Sequence, residues 1–159
     1  MRIIGCGNSD RGDDGAGILV ARRLRELGFD AIEHSGDGLA LIELWHGSDD
    51  VILVDAVQSG GEPGAVTVWD PVSQALPTQE CRSSTHVLGP AEAIEIGRAV
   101  GRLPERIRIY GIEAASFEPG AQPSEAVLVA VDAVVRELAQ AAGIHRAQVS
   151  TGTAMSGVG

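Results

Sequence analysis

Carboxylate side chains are concentrated near the start of the chain, in the segment Gly-Cys-Gly-Asn-Ser-Asp-Arg-Gly-Asp-Asp-Gly-Ala-Gly of residues 5–17. Asp10, Asp13 and Asp14 lie there among five glycines, just after a short apolar strand and just before a predicted helix. Grouped carboxylates at such a turn can bind a cation or take part in proton transfer. They can also serve a structural purpose, since an aspartate at this point is a typical helix N-cap. The residues alone leave these alternatives open.

The residues of this turn argue against nucleotide binding. A dinucleotide-binding Gly-x-Gly-x-x-Gly needs glycine at position 10, where Asp10 would repel a pyrophosphate. A Walker A loop needs a lysine, and all twelve Lys and Arg residues of this chain are arginine. The glycine-rich turn is therefore shaped around something other than a nucleotide.

Two further candidates lie at positions that can meet the first turn. Asp55 interrupts the apolar run of residues 51–57 near its end, where a buried carboxylate is costly unless it meets a metal, a cation or backbone donors. His86 lies in a loop of small polar residues. Because ligands bind beyond the carboxyl ends of strands in an open α/β sheet, we expect Asp14, Asp55 and His86 to share one crevice. Two carboxylates and one imidazole make a metal site, whereas the aspartates alone could be an acid–base pair, and Asp55 could instead cap the turn at Gln58 and Ser59.

The elements that must position these residues alternate between strand and helix. Apolar patterning predicts a first strand before the glycine-rich turn, further strands over residues 31–34, 51–57, 65–69 and 106–112, and helices over residues 16–27, 39–45, 90–100 and from Ser124 onward. Residues 58–64 are too few for a helical crossover, so the strand over 65–69 should run antiparallel to its predecessor. The chain is thus predicted to be an α/β protein with a mixed sheet, and residues 71–88 to be a long loop that carries His86.

Composition limits the class of protein and its partners. A chain of 159 residues with 44% hydrophobic content fits one domain, which we place at residues 1–147, with residues 148–159 as a disordered tail. The net charge of −10, with no basic cluster, argues against nucleic acid and anionic membranes as partners. We find neither a signal-peptide pattern nor a long apolar run, and expect a soluble, cytoplasmic, monomeric protein.

The two cysteines, Cys6 and Cys81, are far apart and lack the spacing of a redox or zinc motif. We expect both to be free thiols, with Cys6 buried as a small apolar residue. Cys81 lies five residues before His86, so a Cys81–His86 nucleophile pair is an alternative to the carboxylate site.

Four motifs in fixed order give the chain a family resemblance. They are Gly-x-Gly-Asn-x4-Asp-Asp-Gly-x-Gly over residues 5–17, Val-Asp-Ala over residues 54–56, Ser-Thr-His-x-x-Gly over residues 84–89 and Tyr-Gly-Ile-Glu over residues 110–113. Together they span nearly the full chain, and they resemble the motifs of the NiFe-hydrogenase maturation endopeptidases. Two departures stand out: residues 9–11 are polar or charged where the family usually has apolar residues, and Ser35 stands where some members have aspartate, with Asp37 two residues away as a substitute.

The resemblance implies a three-layer α/β/α sandwich around a five-stranded, mixed, mostly parallel sheet. It implies an aspartyl-type endopeptidase that removes the C-terminal peptide of the hydrogenase large-subunit precursor once nickel has been inserted. Asp14, Asp55 and His86 would then be catalytic and contact nickel supplied by the precursor, and we expect Asn8, Asp13 and Asp37 to contact the substrate. A protein that holds the nickel-loaded subunit without cutting it would use the same residues.

Two routes to peptide cleavage remain open on these residues. Nickel can act as a Lewis acid with a bound water, or one carboxylate can act as the general base for a water. The chain has no Gly-x-Ser-x-Gly nucleophile elbow, which argues against an acyl-enzyme.

Overall fold

The computed structural model describes residues 1–35, 37–76 and 89–153, with side chains described as far as residue 143. Strands and helices alternate along the chain, as the apolar patterning predicts. The strands are β1 (Arg2–Cys6), β2 (Ala31–His34), β3 (Asp50–Val57), β4 (Val66–Trp69) and β5 (Arg106–Glu113). The helices are α1 (Ala16–Glu26), α2 (Gly38–Trp45), α3 (Pro90–Ala99) and α4 (Glu125–Thr153), and a short 3-10 turn, Gly12–Gly15, precedes α1.

The five strands form one sheet in the order β2-β1-β3-β5-β4. The first three pairings are parallel, and β4 runs antiparallel to β5 at the sheet edge. This confirms the predicted mixed sheet and the direction of β4. The short connection after β3 lets the chain reverse, but β4 pairs with β5 and not with its sequence neighbour.

Helices cover both faces of the sheet, which confirms the three-layer α/β/α prediction. One apolar core joins α1 and α4 to the first face and includes Val20, Leu24 and Val131. The second core joins α2 and α3 to the other face and includes Trp45 and Ile94. Strand β3 supplies side chains to both cores, because alternate residues of a central parallel strand point to opposite faces.

Helix α1 lies unusually close to the sheet at Gly17. A Cβ atom on Gly17 would overlap the carbonyl oxygens of Cys6 and Val54, so only glycine allows this approach. The close packing holds the start of α1 over the ends of β1 and β3. It therefore fixes the 3-10 turn, and with it Asp14, beside the end of β3.

The last helix shows no break at the domain boundary expected at residue 147. The backbone of α4 continues to Thr153. Residues 154–159 lie outside the described part of the chain. Over the residues that the structure describes, no helix is both long and apolar enough to cross a membrane.

Candidate active site

The first carboxylate of the site is presented by the turn after β1. Gly7, with a φ of 132°, turns the chain away from the sheet, and the backbone N–H of Asn8 donates to the Asp14 carbonyl oxygen over 3.1 Å. The N–H of Asp14 donates in turn to the Arg11 carbonyl oxygen over 3.1 Å. These backbone bonds fold residues 7–14 into a compact loop. Its Asp14 side chain is fully buried.

The second carboxylate, Asp55, lies near the carboxyl end of β3. Strand β3 pairs with β1 in a register that sets Val54 opposite Gly5, so Asp55 follows one residue later, beside the end of β1. Its side chain is buried, and its Oδ1 atom accepts the N–H of Ala56 over 2.9 Å. The structure therefore brings Asp14 and Asp55 together at one edge of the sheet, as predicted.

Burial and charge both act on the Asp55 carboxyl. Desolvation raises its pKa most, the charge of Asp14 raises it further, and the bond from Ala56 opposes these effects, giving a pKa of about 8. The neighbouring Cys6 thiol has its pKa raised well above the usual value, first by burial and then by the charge of Asp55. Burial and the charge of Asp14 thus favour a proton on Asp55 at neutral pH, and an incoming cation would favour its ionised form.

Asp13, although adjacent to Asp14, has a different environment. Its buried carboxylate accepts hydrogen bonds from the N–H groups of Ala115 (2.8 Å), Ser116 (3.3 Å) and Ser124 (2.6 Å), and from the Ser124 hydroxyl (3.0 Å). These four bonds tie the 3-10 turn to the segment between β5 and α4. The N-cap of α1 is Gly15, so neither aspartate is the cap residue that the sequence allowed as an alternative.

Glu113, at the end of β5, organises the turn that follows β3. Its buried carboxylate accepts the N–H groups of Ser59 (2.9 Å), Gly60 (3.0 Å) and Gly61 (3.2 Å) and the Ser59 hydroxyl (2.7 Å). The amide of Ser59, considered as a partner that could make Asp55 a turn cap, is therefore bound by Glu113. The sequence identified Glu113 only as part of a motif, and no local pattern indicates this contact across 54 positions.

The remaining predicted site residues lie in several places. Asn8 is exposed, and its Oδ1 accepts the N–H of Asp10 over 2.9 Å. Asp37 is the N-cap of α2, where its Oδ1 accepts the N–H of Leu39 over 3.1 Å; an aspartate just before an apolar helix is a signal that could have revealed this role. His86 and Cys81 lie outside the described residues, so the structure does not place the predicted third ligand or the alternative Cys81–His86 pair.

A cavity of about 400 Å³ opens next to the Asp14 loop. Its walls are residues 7–9 of that loop, Ile18 of α1 and residues 33–35 at the end of β2. Among the described residues, no group of three histidine, cysteine, aspartate or glutamate side chains is arranged to hold a metal ion. The donors that the structure does bring together are the two carboxylates of Asp14 and Asp55.

Comparison with known proteins decides the family. Residues 22–141 match the family model described as hydrogenase maturation protease, HycI. This chain belongs to the hydrogenase maturation protease family. The protease is 31% identical over 124 residues to the protein FrxA of Pyrococcus furiosus, covering 76% of this chain and 88% of that relative.

Solved structures of the family share the fold of this protease. The hydrogenase maturation protease HybD of Thermococcus kodakarensis is 26% identical, with a TM-score of 0.70 over 88% of this chain and 98% of its own. HycI of the same organism is 28% identical, with a TM-score of 0.64 over 87% of this chain and 90% of its own. The family, the fold and the assignment as a hydrogenase maturation endopeptidase, all predicted from the sequence, are thereby confirmed.

Proposed function

We propose that the protease removes the C-terminal peptide of the NiFe-hydrogenase large-subunit precursor after nickel insertion, with Asp14, Asp55 and His86 contacting the nickel. The observation that carries this proposal is the buried Asp14–Asp55 pair at the carboxyl edge of the sheet. Two carboxylates in such a site repel each other, and a substrate that brings a cation relieves the repulsion. A precursor without the cation gains no such interaction, so the pair distinguishes the two forms of substrate.

The donor set fits a metal that arrives with the substrate. Carboxylate oxygens from Asp14 and Asp55, with an imidazole nitrogen from His86, suit a borderline divalent cation and leave coordination positions for ligands of the precursor. Asp55 loses its proton as the cation approaches, because a positive charge lowers the pKa that burial raises. We expect the protease alone to bind nickel weakly. A stoichiometric metal that survives chelator treatment would instead make nickel a resident cofactor.

Cleavage of the peptide bond also needs an activated water. An ionised Asp55 can take a proton from a water that attacks the scissile carbonyl carbon, and the same proton can then pass to the departing amine. Bound nickel offers Lewis-acid activation of the water or carbonyl as the other route. Both routes use the same two carboxylates, and neither requires a thiolate.

The proposal includes the cellular compartment and the oligomeric state that we expect from the sequence. The protease would act in the cytoplasm as a monomer, on a protein substrate. The free and buried thiol of Cys6 suits a reducing compartment, and the net charge of −10 suits a partner with a basic docking segment.

The test is the mass of the large subunit after incubation with the protease. Nickel-loaded precursor should become shorter by one C-terminal peptide, and the protease should separate from the product. A precursor of unchanged mass that elutes together with the protein would show a non-cleaving chaperone and overturn the proposal.

A further inference from the structure

The cavity beside the Asp14 loop shares its wall with the candidate active site. Gly7 and Asn8 line the cavity, and the same two residues contact the backbone of Asp14: the Asn8 N–H donates to the Asp14 carbonyl oxygen, and a Cβ on Gly7 would collide with that oxygen. The opposite wall is the carboxyl end of β2. The cavity therefore adjoins the loop that presents Asp14.

Size and lining indicate what the cavity can bind. Its volume of about 400 Å³ lies within the range of ligand sites, roughly 300–1,000 Å³. Five lining residues have polar side chains: Asn8 and Ser9 on one side, with Glu33, His34 and Ser35 on the other. Most of the surface exposed to the cavity is nevertheless carbon, to which Ile18 contributes. The polar atoms can hydrogen-bond the N–H and C=O groups of a peptide, and the carbon surface between them can pack against its side chains.

Among the described lining residues, the one acidic side chain is paired with cations. Glu33 forms ion pairs with Arg22 and Arg25 of α1, and the bond from Arg22 contributes most to keeping the pKa of Glu33 below its usual value. The carboxylate is therefore ionised at neutral pH, and the two guanidinium groups outweigh its charge. A neutral chain segment is not repelled there.

We propose that this cavity is a substrate subsite, which binds the backbone of the precursor segment adjoining the scissile bond. The inference rests on the proposed function and adds where the peptide lies: between the Asp14 loop and the end of β2. The subsite holds the chain in place and takes no part in the chemistry. Obstruction of the cavity should therefore weaken substrate binding and spare the rate of the bound complex.

A substitution at Ser35 tests this, with a matched control at the other end of the sheet. Ser35 is exposed on the cavity wall, and Ser35→Phe would fill part of the space. Ser48 lines a second cavity, of about 210 Å³, in the connection that precedes β3, away from the catalytic edge. For Ser35→Phe we expect KM for nickel-loaded precursor to rise at least tenfold with kcat changed less than twofold. For Ser48→Phe both constants should equal those of the wild type.

The outcomes separate this inference from the proposed function. If the wild type cleaves the precursor and Ser35→Phe has an unchanged KM, the subsite is refuted while the proposed function stands. If the wild type leaves the precursor uncut, the proposed function fails and the subsite fails with it. If Ser35→Phe unfolds at a lower temperature than the wild type, a rise in KM no longer tests the subsite. The test is then made with a photo-crosslinking amino acid placed at position 35 or, as the control, at position 48. A crosslink from position 35 to the C-terminal segment of the precursor, with none from position 48, supports the subsite. No crosslink from position 35 overturns the subsite.

Discussion

Two pairs of buried carboxylates in this protease have different surroundings: Asp13 and Glu113 form the first pair, and Asp14 and Asp55 the second. Asp13 and Glu113 each accept hydrogen bonds from four N–H and O–H donors, which compensate for the loss of water. Burial raises the pKa of Asp55 most and the charge of Asp14 raises it further, to about 8, while a single bond from the N–H of Ala56 opposes the rise. Equal burial thus accompanies different surroundings. Hydrogen bonding stabilises the ionised form of a carboxylate, and a second carboxylate in the same site destabilises it.

Burial alone therefore does not separate structural from functional acids in this protease. The Asp13 and Glu113 carboxylates anchor segments next to Asp14 and Asp55: Asp13 ties down the 3-10 turn that contains Asp14, and Glu113 closes the turn that follows β3 and Asp55. The first pair therefore supports the geometry of the second. We expect substitutions to separate the pairs, with lost stability in one case and lost activity in the other.

The largest effect is expected on the rate of peptide cleavage when Asp14 or Asp55 is replaced by asparagine. Asn at either position keeps the size of the side chain but removes the charge that contacts a cation or accepts a proton, so cleavage should fall by about 10³-fold or more. The measurement is the initial rate on nickel-loaded precursor, with circular dichroism to show an intact fold. Asp10→Asn is the matched control, because Asp10 is exposed in the same loop. A rate near that of the wild type in either site variant would remove that residue from the mechanism.

The next effect concerns the pH dependence of stability. The pKa of Asp55 is about 8 in the folded protein, against the ordinary value of 3.8. The folded state therefore holds a proton that the unfolded state has released, and stability falls as pH rises between these values. Asp55→Asn removes this slope, so its free energy of unfolding should exceed that of the wild type by a margin that grows from pH 4 to pH 8, toward about 5 kcal/mol at most. Urea unfolding at several pH values measures the margin; a constant difference would contradict the charge environment described above.

A smaller effect, a loss of folding stability, is expected when Asp13 or Glu113 is replaced. Asp13→Asn and Glu113→Gln keep one acceptor oxygen but place an amide NH2 group against buried donors, which should cost about 3 kcal/mol in each variant. Chemical denaturation at pH 7 measures the loss, and Asp10→Asn should lie within about 0.5 kcal/mol of the wild type. The fraction of either variant that remains folded should still cleave substrate. Full stability in both variants would show that the hydrogen bonds to these carboxylates are dispensable.

The smallest effects are expected at the cysteines. Cys6→Ala removes a buried sulfur atom and should cost about 1 kcal/mol with full retention of activity, since no thiolate is needed in either route to cleavage. Cys81→Ala should also retain activity. An inactive Cys81→Ala variant with a normal unfolding transition would point to a Cys81–His86 nucleophile pair in place of the carboxylate site.

Features that depend on the local pattern of residue types could be predicted from the sequence. Apolar periodicity indicated the alternating strands and helices, and the position of Asp14 and Asp55 after parallel strands indicated one shared edge. The contacts of Asp13 and Glu113 could not be predicted in this way, because their donors lie up to 111 positions away in the chain. The roles of such carboxylates depend on which loops the fold brings together. His86 remains a prediction from the family motif.

If the Asp14–Asp55 pair recognises a metal, the precursor must carry that metal to be cut. This is measured as the rate at which the wild-type protease shortens nickel-loaded and nickel-free precursor of the same sequence, at the same concentrations. We expect cleavage of the nickel-loaded form and none of the nickel-free form. Equal rates on the two forms would contradict metal recognition and would assign the two carboxylates to water activation alone.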